Sequence, residues 1–523
     1  MRFFFFVCLL CQSWYVSAQY SYLYFQNNTH LDFQFNTEAT NGLSNDNWDG
    51  NNGTIGALEA GKELLRVKRL FGFSGTPTDY ETIAHIKVAG SNTNVVSCKL
   101  RVTELLGSTT LKQSAANSSF SDPFYYDRDL HSHIITISGI EYRLRYAAYS
   151  TAPGGTYDDV LFAIDYVDPP KPYIVPIDDV QKPAVLNVMA YNLYMRPTIL
   201  FPDDDQATRA QFIHKGVQDM DVLMLEEVFD DAVRDDLLAN LAAEYPYQST
   251  VIGNPSSPLE DGGVLIVSRW PIEVQDQYLW GSDCVEDDCL ADKGIKYVRI
   301  NKLGTKYHLF ATHMDAFNKY ADVEMRKVQL TKFKQFVDSQ NIPADEAVIM
   351  GGDLNVDKFS NKWGEYDSLW TDHFKATMPT YSGHYATWDK EHNYYLTDET
   401  DAPEYLDYIM TRYDHLPVIS NNNNVVVLRS LKDEMFRIFE LSDHFAVWAR
   451  LEFPCTSKPI VNGDATPCSQ NTSTYSVTAG AAGTTYEWTA IGGTIVAGQG
   501  TPNVSVVWDN GVTGTVQVMQ TNP

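Results

Sequence analysis

Between residues 184 and 453, the side chains able to do polar chemistry stand at the ends of short apolar runs. Asn192 follows Leu186 to Tyr191, and Glu226 and Glu227 follow Val222 to Leu225. His313 follows Phe310-Ala311-Thr312, and Asp353 and Asn355 follow Ile349-Met350-Gly351-Gly352. Asp407 lies within Glu404-Tyr-Leu-Asp-Tyr-Ile409, and Asp443-His444 precedes Phe445 to Leu451. Taken singly, each is an ordinary turn former or helix cap. Six such runs ending in carboxylates, carboxamides and imidazoles are harder to explain that way. Hard oxygen donors such as Glu227, Asn192 and Asp443 suit Mg2+. Two imidazoles, His313 and His444, can transfer protons and offset charge near neutral pH. A metal, a general base and amide donors together suit hydrolysis of a phosphoester by activated water. No G-x-S-x-G, P-loop or H-E-x-x-H motif is present, which disfavours a covalent serine mechanism.

Positioning these residues requires buried strands with helices between them. The runs Leu186 to Met189, Val222 to Leu225, Gly263 to Val267, His308 to Ala311 and Ala347 to Met350 read as central strands. Val233, Leu237 and Leu241, and Leu330, Phe333 and Val337, carry helical spacing. Residues 184–453 therefore read as one α/β domain, whose strand ends are where sites are built. Residues 19–168 read as an all-β sandwich, with Glu141-Tyr-Arg-Leu-Arg-Tyr146 alternating as a half-buried strand; the start of a short helix at Leu64, Leu65 and Val67 is the open alternative. Residues 169–183, dense in proline, read as a stiff linker. Residues 454–523 read as an immunoglobulin-like β-sandwich with no catalytic cluster.

The first 18 residues have the form of a secretion signal: Arg2, an apolar stretch from Phe3 to Leu10, and Val16-Ser17-Ala18 before a cleavage point. Of seven cysteines, Cys8 and Cys11 would leave with that segment. In an exported chain Cys284 with Cys289, and Cys455 with Cys468, are expected as local disulfides, and Cys98 as a buried thiol. The 523 residues carry 67 acidic against 39 basic side chains, a net −28. Residues 184–453 hold 45 acids against 24 bases, a net −21. That balance counts against a polyanion-gripping protein, because phosphate backbones are held by Lys and Arg.

The segments Tyr191-Asn-Leu-Tyr194, Leu225-Glu-Glu-Val-Phe-Asp230, Gly262-Gly-Val, Thr312-His-Met, Gly351-Gly-Asp-Leu-Asn355, Leu406-Asp-Tyr-Ile409 and Ser442-Asp-His444 occur in the order of the endonuclease/exonuclease/phosphatase superfamily. More selective stretches, among them Glu260-Asp-Gly-Gly263, Ser268-Arg-Trp-Pro-Ile272, Ser382-Gly-His-Tyr-Ala-Thr-Trp-Asp389 and Ala402-Pro-Glu-Tyr-Leu-Asp407, resemble the bacterial neutral sphingomyelinases. The resemblance implies a deoxyribonuclease-I-like, four-layer α/β/β/α sandwich. It also implies a secreted Mg2+-dependent phosphodiesterase that hydrolyses sphingomyelin to ceramide and phosphocholine, with Mn2+ or Co2+ able to substitute. Carried across, Glu227 is the central metal ligand with Asn192 and Asp443 nearby. His444 is the general base and Asp407 orients it. Asp353 and Asn355 position water and a phosphate oxygen, and His313 stabilises developing charge or helps the leaving alkoxide. A second divalent ion at the cleft edge would be held by Phe229 (through its carbonyl), Asp231, Glu260 and Asp261. Tyr486-Glu-Trp-Thr489, Gly492-Gly-Thr-Ile-Val496 and Gly498-Gln-Gly-Thr501 resemble PKD-type modules of secreted bacterial proteins.

The chain also departs from these relatives. Glu226 stands where they carry Asn or a similar residue; it would alter metal affinity or face solvent. The long aromatic-tipped hairpin of lytic relatives is shortened, leaving Met435-Phe436-Arg437-Ile438-Phe439. Exposed, Met435, Phe436, Ile438 and Phe439 would form a peripheral membrane wedge; buried, they would be an ordinary strand. A monomer with a membrane lipid as substrate and no nucleic-acid partner is expected. A secreted nuclease or other phosphodiesterase of the same superfamily, and a non-catalytic surface binder, are the alternatives.

Overall fold

The computed structural model describes residues 20–40, 47–68, 78–105, 108–150, 158–254, 260–372, 374–396, 401–454, 460–480, 482–511 and 513–521. The expected signal, Cys8, Cys11 and the Cys455 half of one expected disulfide lie outside them. The chain divides into two compact units, 1–454 and 455–523.

The first unit begins with two sheets packed face to face. One has six strands in the spatial order 48–50, 62–68, 20–28, 158–166, 140–150 and 131–137; the other has five, in the order 53–55, 33–40, 78–88, 94–105 and 108–116. Leu23, Phe25, Phe33, Ile86, Leu100, Tyr146 and Phe162 fill the space between them, with the free thiol of Cys98 fully buried there. The alternative of a helix at Leu64-Leu65 is not formed; the segment is the strand Lys62–Lys68. A register shift against Leu23 and Tyr24 inserts an extra residue, so two consecutive leucines are both buried, which mimics a helical pattern in sequence.

The α/β part of this unit contains β1 (Val185–Met195), β2 (Val222–Val228), β3 (Leu265–Ser268), β4 (Ile272–Leu279), β5 (Gly294–Lys302), β6 (Thr305–His313), β7 (Ala347–Asp353), β8 (Asp407–Arg412), β9 (Asn422–Val426) and β10 (Ala446–Glu452). Its main helices are α1 (Gln206–Gly216), α2 (Asp231–Leu241) and α3 (Tyr320–Ser339). One sheet runs β3-β2-β1-β10-β9 with a short strand at each edge; the other runs β4-β5-β6-β7-β8 with one more short strand. Strand alternation divides the cores. Val188, Ala190, Val222 and Met224 face the second sheet, whereas Met189, Tyr191, Leu223 and Leu225 meet α1 and α2. Leu330, Phe333 and Phe336 of α3 cover the far side of the second sheet. This is the expected α/β/β/α sandwich.

Two segments depart from expectation. Residues 169–183 do not form a free spacer. Tyr173 is buried with its hydroxyl donating to the Gly216 and Gln218 carbonyls, and buried Asp179 accepts from Arg450 and Lys182. Of the two readings of residues 435–439, the membrane wedge is the one corrected. Met435, Ile438 and Phe439 are buried, and Phe439 packs against Tyr149, Leu161 and Ala163 of the N-terminal sandwich. Phe436 lies half-buried against the Arg145 guanidinium. The segment is a 3-10 turn with an irregular continuation, because an apolar partner surface within the same unit takes up the rings. Arg429 ties the two parts together, donating to Glu440 and to the carbonyls of Asn27, Leu58 and His392.

Within 455–523, strands 472–476, 503–508 and 493–497 form one sheet, and 485–491 pairs with 515–521. Tyr475, Trp488, Val504, Val506 and Trp508 make its core, and Trp508 Nε1 donates to the Tyr475 hydroxyl at 2.9 Å. Among the described residues no helix is long and apolar enough to cross a membrane.

Candidate active site

Strand register assembles the site. In the second sheet His313, Asp353 and Asp407 are direct partners across β6, β7 and β8, so they form one row. In the first sheet Asn192 is paired with Glu226. Their shared parity with Val188 and Met224 turns both toward the opposite sheet. The sheets meet tightly here. A Cβ on Gly352, whose φ is +116°, would come within 2.2 Å of the Thr312 carbonyl and 2.7 Å of Glu226.

At the end of the row, His444 Nδ1 lies 2.9 Å from Asp407 Oδ2, and His444 Nε2 lies 3.7 Å from Asp353 Oδ2. Burial works against charging the ring, but the Asp407 and Asp353 carboxylates outweigh it and hold the His444 pKa well above the usual value. Burial, with Asp407 beside it, pushes Asp353 up to about 7. Asn355 adopts left-handed backbone (φ 53°). Its N–H donates to Asp353 Oδ1 at 2.9 Å and its carboxamide nitrogen to the Met314 carbonyl at 3.2 Å.

Glu227 closes the other side. Its φ of 54° is uncommon for a residue other than glycine or asparagine, and together with the irregular pairing after Asn192 it ends the strand alternation. Asn192 Nδ2 donates to Glu227 Oε1 at 2.9 Å and to Asp353 Oδ2 at 3.0 Å, while its oxygen accepts the Tyr194 N–H. Asn192 thus bridges two carboxylates with its nitrogen, whereas coordination would require its oxygen. Asp443 is buried and bonded to the Ser442 hydroxyl. Burial drives its pKa to about 6, with His444 pulling it down and Glu227 pushing it up. Carboxylates crowded in this way, offering hard oxygen atoms, fit a divalent cation, which would relieve their mutual repulsion. Ligand atoms of Glu227, His313 and Asp353 lie within 4.8 Å of one another.

Glu226 does not face solvent. It is fully buried between the sheets, close to where a side chain on Gly352 would stand. Burial, then Asp407 and Asp353, raise its pKa well above normal. The motif reading missed this placement, although the Val222-Met224-Glu226 alternation carries the signal.

Three other positioning groups were not legible. Lys293 Nζ lies 3.2 Å from His313 Nε2 and is also bonded to Asp288, whose other oxygen accepts the Ala316 N–H. Burial, with Lys293 and His444 nearby, lowers the His313 pKa well below its usual value. Asp288 lies in the loop closed by the Cys284–Cys289 disulfide, a bridge that was expected. The Ser442 hydroxyl donates to the Asn192 carbonyl at 2.6 Å. Buried Arg209 donates to the carbonyls of Leu193 and Leu441, fastening β1 and the segment before β10 to α1.

The four residues expected to hold an edge ion, Phe229, Asp231, Glu260 and Asp261, form a separate cluster. They do not fit that ion. Arg234 Nη1 lies 3.2 Å from the Phe229 carbonyl and 2.9 Å from Asp261 Oδ2, and Nη2 pairs with Asp231. Burial raises the Glu260 pKa, and Asp261 and Asp231 add to the rise.

Two stacked sheets with a carboxylate–histidine row at their strand ends define a phosphoesterase of the Endonuclease/Exonuclease/phosphatase family, whose family model matches residues 189–444. A PKD-like domain model matches 454–523. Sphingomyelinase C of Bacillus cereus is 36% identical over 296 residues, covering 51% of this chain and 88% of that protein. A phospholipase C of Staphylococcus aureus is 32% identical over 290 residues, covering 50% and 86%. Among solved structures, a beta toxin variant from Staphylococcus aureus with bound magnesium ions shares 32% identity, covers 50% of this chain and 98% of that one, and superposes with a TM-score of 0.46. The chain belongs to the bacterial neutral sphingomyelinase branch of this family.

Proposed function

We propose that the chain is an exported, Mg2+-dependent sphingomyelin phosphodiesterase that releases phosphocholine and leaves ceramide. The observation that carries this reading is the 2.9 Å contact between His444 Nδ1 and Asp407 Oδ2 at the end of the buried row. Asp407 accepts the Nδ1 proton and fixes the ring, so Nε2 is the atom offered to the cleft. Water attacks phosphorus, its proton passes to His444 Nε2, the bond from phosphorus to the ceramide oxygen breaks, and that oxygen takes a proton from solvent while His444 returns its own to solvent. Asp353 and Asn192 orient the water and the phosphate. Lys293, behind His313, adds positive charge on the side of the departing oxygen. Glu227 and Asp443 would hold a divalent ion, which when bound would polarise a phosphoryl oxygen and offset the surrounding carboxylates.

Export is supported by the signal-like pattern of 1–18 and by the Cys284–Cys289 disulfide. The choice of sphingomyelin is supported by the relatives named sphingomyelinase C. The test offers purified protein sphingomyelin, phosphatidylcholine and DNA, with Mg2+ and with EDTA. Phosphocholine release from sphingomyelin, lost with EDTA or in His444→Ala, is expected; DNA cleavage without lipid turnover would overturn the reading.

A further inference from the structure

The acidic cluster at the start of α2 already contains a cation. Arg234 lies one turn into that helix, with its side chain only 11% exposed. Its guanidinium donates to the Val228 carbonyl at 2.7 Å, to the Phe229 carbonyl, to Asp231 and to Asp261. These contacts span three structural pieces: the end of β2 just after Glu227, the first turn of α2, and the loop that leads into β3. Asp261 is fixed from its other oxygen by the Gly263 N–H at 2.9 Å. A divalent ion at the same place would need the same oxygens at about 2.0–2.6 Å. A guanidinium presents a planar fork of donors that already uses them and cannot be deprotonated in a protein. Two cations cannot share these donors at such range without strong repulsion.

We infer that Arg234 is the resident cation of this cluster, so that it stands in for a second divalent ion and the chain binds one such ion, at Glu227 and Asp443. Its structural consequence is to pin the left-handed turn at Glu227 to α2 without a metal.

The inference rests on the proposed ion site at Glu227 only for the count of one. The experiment is Mn2+ titration of the full chain, reading bound ions per protein from the electron paramagnetic resonance signal of free Mn2+. Wild type should bind one ion, Arg234→Lys one, and Arg234→Ser two, with the second lost in Arg234→Ser combined with Asp261→Asn. Two ions in wild type, one of them lost in Asp261→Asn or Glu260→Gln, overturn the inference. An Arg234→Ser protein that folds and still binds one ion overturns it as well. If Arg234→Ser does not fold, the wild-type count and its response to Asp261→Asn decide. A wild-type site that survives Glu227→Gln removes the central-site reading instead, while the comparison with Arg234→Ser still judges the arginine.

Discussion

The Nζ of Lys293 lies 3.2 Å from Nε2 of His313, and both groups are buried. A histidine with an ammonium on one ring nitrogen cannot readily accept a proton, and the His313 pKa is accordingly held well below normal by burial, by Lys293 and by His444. His444, in the same row, is pushed the opposite way by its carboxylates. The two surroundings therefore tune the imidazoles in opposite directions: the carboxylates raise the proton affinity of His444, as a base requires, and Lys293 lowers that of His313.

Lys293→Met should lower turnover by about 10- to 100-fold with little change in KM, the usual scale for removing a partner that orients a functional side chain. Phosphocholine release at varied substrate checks it. A change confined to KM would show that Lys293 binds lipid rather than supporting His313.

Removing the base should cost more. His444→Ala and Asp407→Asn are each expected to lower turnover by roughly 10²- to 10⁴-fold, without additivity in the double variant, because they act as one unit. Full additivity in a kinetic double-mutant cycle would separate their roles.

The Cys284–Cys289 bridge closes a short loop, so its effect on global stability should be small, about 2 kcal/mol or less. Its effect on activity should be larger, because Asp288 inside the loop holds Lys293. Reduction with dithiothreitol should lower phosphocholine release in wild type and leave a Cys284→Ala, Cys289→Ala variant unchanged. Equal rates for oxidised and reduced wild type would break this link.

Phe439 is buried against the N-terminal sandwich, so Phe439→Ala should destabilise the first unit by about 3–5 kcal/mol. Liposome flotation of Phe439→Ala should match wild type while the thermal midpoint falls. Reduced flotation with an unchanged midpoint would restore a membrane role.

Glu404 accepts from Asn318 at 2.6 Å, and burial together with Asp357 and Asp401 raises its pKa from 4.5 to about 7. The unfolded chain releases this proton near pH 4.5, so between about 4.5 and 7 the folded state binds more protons than the unfolded one. Stability contributed by this group therefore falls as pH rises through that window. Glu404→Gln should flatten that part of the denaturation profile; parallel wild-type and variant curves would contradict the assignment.

Much of the fold is legible because local patterns carry it. The apolar runs ending at Asn192, Glu227, His313 and Asp353 became strands, and the helical spacing of Val233, Leu237 and Leu241 became α2. Leu64-Leu65 leaves a helix open because a β-bulge and a helix both bury consecutive apolar residues. Met435 to Phe439 leaves two readings open because a short apolar stretch does not reveal which surface will cover it. Lys293 carried no motif; only its nearness to the Cys284–Cys289 pair and the acids around it pointed there.

By itself the sequence determined which residue types stand at strand ends, the break after Pro454, and the local disulfide between Cys284 and Cys289, because each depends on the order of residues along the chain. The tertiary structure decided the rest. It aligned His313, Asp353 and Asp407 by register, sealed Glu226 between two sheets, backed His313 with Lys293 and seated Arg234 among the edge carboxylates. Each of these joins segments distant along the chain or depends on the way a strand or helix turns its side chains. Such contacts are fixed by pairing and packing, which spacing in sequence does not encode.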